Sequence, residues 1–134
     1  MFVRNIKEFK KKTNKKKIIC LDCGKKKVGI AISDENHKIS MPMETLVRNL
    51  EFYKNIIKII NDYNIGGILV GLPLGEEKKI NKMSQSIIDT TTNLDNHLNR
   101  SKLNIPFFFW DENYTSIEAC LLYTSDAADE VRSV

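Results

Sequence analysis

Residues 18–34 read Ile18-Ile19-Cys20-Leu21-Asp22-Cys23-Gly24-Lys25-Lys26-Lys27-Val28-Gly29-Ile30-Ala31-Ile32-Ser33-Asp34. Two short apolar runs, Ile18 to Leu21 and Val28 to Ser33, flank a tight basic turn, which predicts two strands joined as a hairpin. A third strand is expected over Lys38 to Met41 after the Asp34-Glu35-Asn36 turn, completing an antiparallel meander. Downstream, Leu46, Leu50, Tyr53, Ile57 and Ile60 recur at steps of three and four and predict an amphipathic helix ending near Asn64. Ile68 to Gly71 follows Gly66-Gly67 and is short and wholly apolar, as suits a strand buried on both faces. Ile80, Met83, Ile87, Leu94 and Leu98 mark a second helix to about Arg100. Ile105 to Trp110 is another buried strand, with Pro106 at its start. Thr115-Ser116-Ile117-Glu118 then forms the capping box of a further helix. Three antiparallel strands followed by helix crossovers predict an α/β fold, a mixed sheet with helices packed on it.

The 134 residues are 42% hydrophobic and 28% charged, with 6 Gly and 3 Pro, which is the composition of one globular domain able to build a core. No apolar run reaches the ~20 residues of a membrane span, and Met1 to Lys17 lacks the apolar segment of a signal peptide. A cytoplasmic location is expected, with an organelle as the alternative and no membrane partner. Cys20, Cys23 and Cys120 are expected as free thiols, because a spacing of three along a strand sends Cys20 and Cys23 to opposite faces. Net charge is +4, carried by 17 Lys against 4 Arg. Part of that reflects a Lys-, Ile- and Asn-rich composition, yet its placement is uneven, and residues 1–17 are expected as a basic tail that is solvated or binds phosphate weakly. His37 and His97 are expected on the surface.

If each crossover is a single helix, the strands at Ile18, Ile68 and Ile105 run parallel and their C-terminal ends share one edge. Asp22, the Gly71-Leu72-Pro73-Leu74 loop and Asp111-Glu112 converge there, at the edge where α/β sheets bind ligands. Asp22 closes an apolar strand, where an unpaired carboxylate is costly to desolvate. A divalent cation removes that cost, and oxygen donors without His or Cys indicate Mg²⁺ or Mn²⁺. An Asp before Gly is also a common turn former, so this feature alone leaves both readings open.

These residues resemble a known family. Asp22 to Asp34 is similar to the D-x-G-x-K-R-I-G-x-A-x-S-D signature of the YqgF family, nucleases of pre-16S ribosomal RNA related to Holliday-junction resolvases. Pro42-Met43-Glu44-Thr45-Leu46 resembles its P-L-E-T-I segment, and Gly71-Leu72-Pro73-Leu74 its G-L-P loop. Asp111-Glu112 with Thr115, Ser116, Glu118 and Ala119 resembles its D-E-R-x-[ST]-[ST]-x-E-A block. The resemblance implies a ribonuclease H-like fold over residues 18–119 and metal-dependent hydrolysis of phosphodiester bonds in precursor rRNA. It implies that Asp22 and Glu112 are catalytic and hold Mg²⁺ or Mn²⁺, and that Lys26, Lys27, Thr115 and Ser116 meet nucleic acid. Gly24, Gly71, Leu72 and Pro73 would shape the active-site loops, and the small-subunit precursor would be a partner. Lys25 replaces the family's usual Thr, Gly75 an Asn, and Asn113 an Arg.

The family continues through a basic segment to a third acid in a D-x-x-A-A-like run. Here Cys120 to Glu130, C-L-L-Y-T-S-D-A-A-D-E, back-translates into the transposase adapter of short-read sequencing libraries. Residues 120–134 are therefore expected to be adapter read-through, and Asp126, only fourteen positions after Glu112, is left out of the site. The nuclease domain would then be incomplete, and the chain impaired or inactive as an enzyme. The other readings are a non-catalytic nucleic-acid-binding module and a resolvase-like DNA nuclease.

Overall fold

The computed structural model describes residues 1–73 and 79–111. In chain order these form α1 (Ile6–Lys12), β1 (Lys17–Cys23), β2 (Lys27–Ser33), β3 (Ser40–Pro42), β4 (Leu46–Val47), α2 (Phe52–Asp62), β5 (Ile65–Leu72), α3 (Lys82–Arg100) and β6 (Phe107–Asp111). The strands make one sheet of order β3-β2-β1-β5-β6, with β4 also on β2. β1, β2 and β3 form the expected antiparallel meander, in which Asp22 lies opposite Gly29 and Ile32 opposite Met41. β5 pairs parallel with β1 and β6 parallel with β5, so the α/β mixed sheet has the ribonuclease H-like form that the motif blocks implied.

The pleat sorts the side chains into two layers. Ile19, Leu21 and Cys23 of β1, Ile68, Val70 and Leu72 of β5, and Phe107 of β6 pack with Phe52, Ile56 and Ile60 of α2 and Ile87, Leu94 and Leu98 of α3. The other face is smaller: Ile18, Cys20, Leu69 and Trp110 pack with Val3 and Phe9 from the N-terminal segment. Cys20 and Cys23 thus lie on opposite faces, which leaves no local dithiol for a metal knuckle.

Several elements depart from the sequence expectation. Residues 1–17 are not simply a solvated tail, since Asn5 caps α1 by accepting from the Glu8 N–H, and Phe9 is fully buried. The first long helix starts later than expected. Leu46 pairs with Val28 as part of β4, Leu50 is 92% exposed in a turn, and only Phe52–Asp62 is helical. The buried strand expected over Ile68 to Gly71 is longer, Ile65–Leu72, and takes in Gly66 and Gly67. Ile80 precedes α3 and is exposed, while buried Thr91 completes that helix's inner stripe. The third strand is Ser40–Pro42, starting two residues and ending one residue later than expected. The expected helix from Thr115 and the whole segment 120–134 lie outside the described residues.

His37 is buried rather than at the surface. At φ 59° it closes the β2–β3 turn, with Nδ1 3.0 Å from Lys10 Nζ and Nε2 2.8 Å from the Lys16 carbonyl. The ammonium can only donate, so Nδ1 accepts and Nε2–H donates, which makes this a neutral imidazole. Burial above all holds its pKa below the ordinary 6.5, with the Lys10 charge acting in the same direction. His97 is half-buried on α3, stacked on Tyr53 at 4.6 Å between ring centroids.

Candidate active site

Parallel pairing puts the C-terminal ends of β1, β5 and β6 along one edge. Asp22 lies beside Gly71 and Gly71 beside Trp110, so the three form one row across the sheet. Asp22 shares its face with Ile18 and Cys20, the α1 side, because side chains two apart point the same way. It is half-buried. Among the described residues no hydrogen bond or ion pair engages its carboxylate. Such an acceptor-only group at a strand end is a hard oxygen donor of the kind Mg²⁺ and Mn²⁺ take. Gly71 contributes no side chain between Asp22 and Trp110.

The turn after Asp22 is closed by the Gly24 N–H donating to the Lys27 carbonyl at 2.7 Å. A Cβ on Gly24 would sit 3.1 Å from that same oxygen, a tight approach that favours glycine. Lys25, Lys26 and Lys27 are all exposed there and none has an ion-pair partner among the described residues. Leu72, expected as part of the active-site loop, is buried in the α2/α3 layer, on the opposite face from Asp22. Its role is to anchor the end of β5, and Pro73 follows it directly at the end of the strand. Leu72 pairs with Asp111 in the β5–β6 register. Glu112, Thr115, Ser116, Gly75 and Asn113 lie outside the described residues. Among the described residues there is no group of three His, Cys, Asp or Glu side chains able to hold a metal ion.

Arg48 is a residue that sequence reasoning missed. Its Nη1 donates to the Gly24 carbonyl at 2.9 Å, and its Nη2 to Ser86 Oγ and Thr90 Oγ1, each at 2.8 Å. Its backbone N–H donates to the Lys26 carbonyl at 2.7 Å. One guanidinium thereby ties the lysine turn beside Asp22 to α3, a task suited to its fixed fork of donors. Reading Leu46 as the start of a helix concealed this, since Arg48 would then lie on a solvated helical face. Its position two residues after the Pro42-Met43-Glu44-Thr45-Leu46 block was the available signal.

An acid at the parallel edge beside a basic hairpin, on a sheet of this order, is the arrangement of a ribonuclease H-like protein. A family model described as "RuvX: Holliday junction resolvase" matches residues 16–133, including the segment from Cys120 onward. The protein named "Putative pre-16S rRNA nuclease" of Pelagibacter ubique is 34% identical over 117 residues, covering 85% of this chain and 74% of that protein. Its namesake in Orientia tsutsugamushi is 36% identical over 118 residues, covering 87% and 72%. The solved chain of T. thermophilus RuvC with a Holliday junction substrate overlays with a TM-score of 0.49 at 6% identity, over 70% of this chain and 64% of that one. Strand order, not this overlay, establishes the fold. The chain belongs to the RuvX family of Holliday junction resolvase-like nucleases. Nucleic acid is the substrate class of that family, and its nucleases generally depend on divalent metal ions.

Proposed function

We propose that this chain is a Mg²⁺- or Mn²⁺-dependent nuclease of precursor 16S-type ribosomal RNA, working in the cytoplasm on the small-subunit precursor. The observation that carries the reading is Asp22, a half-buried carboxylate with no partner among the described residues, in the Gly71–Trp110 row of a RuvX-family sheet. Asp22 and Glu112 would hold the metal, which when bound lowers the pKa of water and stabilises the leaving oxygen of a phosphodiester. Asp22 contributes a negative oxygen on a rigid strand, so its position costs little reorganisation. Lys26 and Lys27, held in a turn closed by Gly24 and pinned by Arg48, meet the phosphate backbone, and Thr115 and Ser116 extend that contact. Among the described residues no helix is long and apolar enough to cross a membrane.

The experiment is single-turnover cleavage of an end-labelled precursor 16S RNA, in Mg²⁺ and in EDTA, by a version of the chain that supplies the family's third acid, with the 134-residue chain, expected to be impaired, alongside. Cleavage in Mg²⁺ that chelation abolishes, and that Asp22→Asn reduces to background without changing the circular dichroism spectrum, is the expected result. Undiminished cleavage by Asp22→Asn would sink the assignment. RNA binding that survives EDTA with no cleavage in Mg²⁺ would instead favour a non-catalytic binding module. Because the matching family model is described by its action on DNA junctions, a four-way DNA junction belongs in the same assay, and preferential cleavage of it would move the substrate from RNA to DNA.

A further inference from the structure

The N-terminal segment holds the most uneven charge in the molecule. Residues 1–17 contain eight basic residues and one acid, a net of +7, so the remaining residues together carry −3. A biased composition alone would not gather the charge in one place. The segment is also built into the fold. Ile6, Phe9 and Thr13 form one side of α1 and its C-cap, with Phe9 and Thr13 fully buried against the sheet. Phe9 packs on Phe108 at 5.8 Å between centroids. Gly67 makes the approach possible, since a Cβ there would lie 2.3 Å from Thr13 Cγ2. The Lys10–His37 and His37–Lys16 hydrogen bonds fasten the far end to the β2–β3 turn.

What remains outward is almost purely cationic. Arg4, Lys7, Lys11, Lys12, Lys15 and Lys16 are exposed, and none is ion-paired among the described residues. This helix lies on the same face as Asp22. Phe108, which Phe9 touches, is in the row of Leu69 and Cys20, and the Asp22–Gly71–Trp110 row is two residues further along the strands, about 7 Å away.

We infer that α1 is a second nucleic-acid contact of this protein, a docked basic helix that takes the phosphates of the RNA strand leading to or from Asp22. The inference deepens the nuclease reading and rests on it for the identity of the polyanion. Fixed lysines on a rigid helix contribute affinity by releasing condensed counterions and orient the strand without reading its bases. An anionic bilayer is the other polyanion a basic amphipathic helix could meet. Such helices bury their apolar side in the lipid, whereas here that side is already occupied by the sheet.

The test combines Lys7→Gln, Lys11→Gln and Lys12→Gln in the full chain and follows binding of a fluorescein-labelled single-stranded RNA by anisotropy across a KCl series. Each lost single-strand phosphate contact lowers the slope of log K against log salt by about 0.7. The variant should therefore lose about 2 from the slope, while Lys→Arg at the same positions retains it. An unchanged slope and affinity, or no RNA binding by the parent chain, overturns the inference. So does loss of binding to phosphatidylserine vesicles with RNA binding intact, which would assign the helix to membranes. If the salt effect is present but cleavage is absent in every condition, the catalytic reading fails and the contact stands. If cleavage depends on Asp22 but not on these lysines, the reverse holds.

Discussion

The two faces of the sheet are covered in unequal ways. Among the described residues, eighteen buried side chains on one face knit α2 and α3 to four strands. On the other, six buried residues hold a seven-residue helix over β1, β5 and β6. The large face carries more of the buried apolar contact, and the small face carries Asp22 and the basic helix α1. A thinly covered face keeps an acid accessible, whereas a deep core would have to neutralise it.

This division predicts unequal losses. Leu94→Ala, on a fully buried position of α3, should cost about 3–4 kcal/mol and lower the urea midpoint of the whole chain. Phe9→Ala removes an equally buried side chain, yet it should cost less than the ~3–5 kcal/mol of a core Phe→Ala, because its cost is capped by the free energy of docking α1, which can release without unfolding the sheet. Hydrogen exchange should then quicken in residues 5–13 while the β1 and β5 amides stay protected. Equal losses in a single transition would show the two faces to be one cooperative unit.

Arg48→Ala crosses from one region to the other, since it unties the lysine turn from α3. Loss of three side-chain hydrogen bonds, partly replaced by water, should cost about 1–2 kcal/mol. The turn should loosen, visible as faster exchange at the Gly24 amide and a raised KM for RNA. Arg48→Lys should not restore either, because an ammonium cannot span the Gly24 carbonyl and both hydroxyls in the same fork geometry.

The smallest effect is on pH. His37 has its pKa held below 6.5, chiefly by burial, with the bond to the Lys16 carbonyl and the Asp34 carboxylate opposing in part. The unfolded chain therefore takes up this proton first as the medium is acidified. Stability from His37 is present above about pH 6.5 and is lost as pH falls through the window between 6.5 and the folded value. Urea midpoints at pH 7.5 and 5.5 should differ in that direction, and His37→Gln should shrink the difference. An unchanged difference would place the acid sensitivity elsewhere.

Much of the large face was legible because its signals are local. Alternating apolar runs marked β1 and β2, and the step-of-three-and-four stripe Met83, Ile87, Leu94 and Leu98 marked α3. The placement of Asp22 at a shared strand edge followed from the single-helix crossovers, which make β1, β5 and β6 parallel. The small face and the β4 segment were not legible. A tail with eight basic residues reads as solvated unless one knows that Gly67, more than fifty positions away, leaves room for Phe9 and Thr13. Leu46 looks helical by spacing, and only pairing with Val28 makes it a strand.

By itself, the sequence determined which segments are strands and helices in the meander and crossovers, which acid closes β1, and, through its motif blocks, the family. Tertiary structure alone decided that the basic segment is a docked helix, that His37 is a buried neutral imidazole, that Leu72 faces away from Asp22, and that Arg48 clamps the lysine turn. The physical reason is range: periodicity and turn chemistry act within a few residues. Close approach to a glycine, burial of a ring and the reach of a guanidinium depend on partners that only the folded chain brings together.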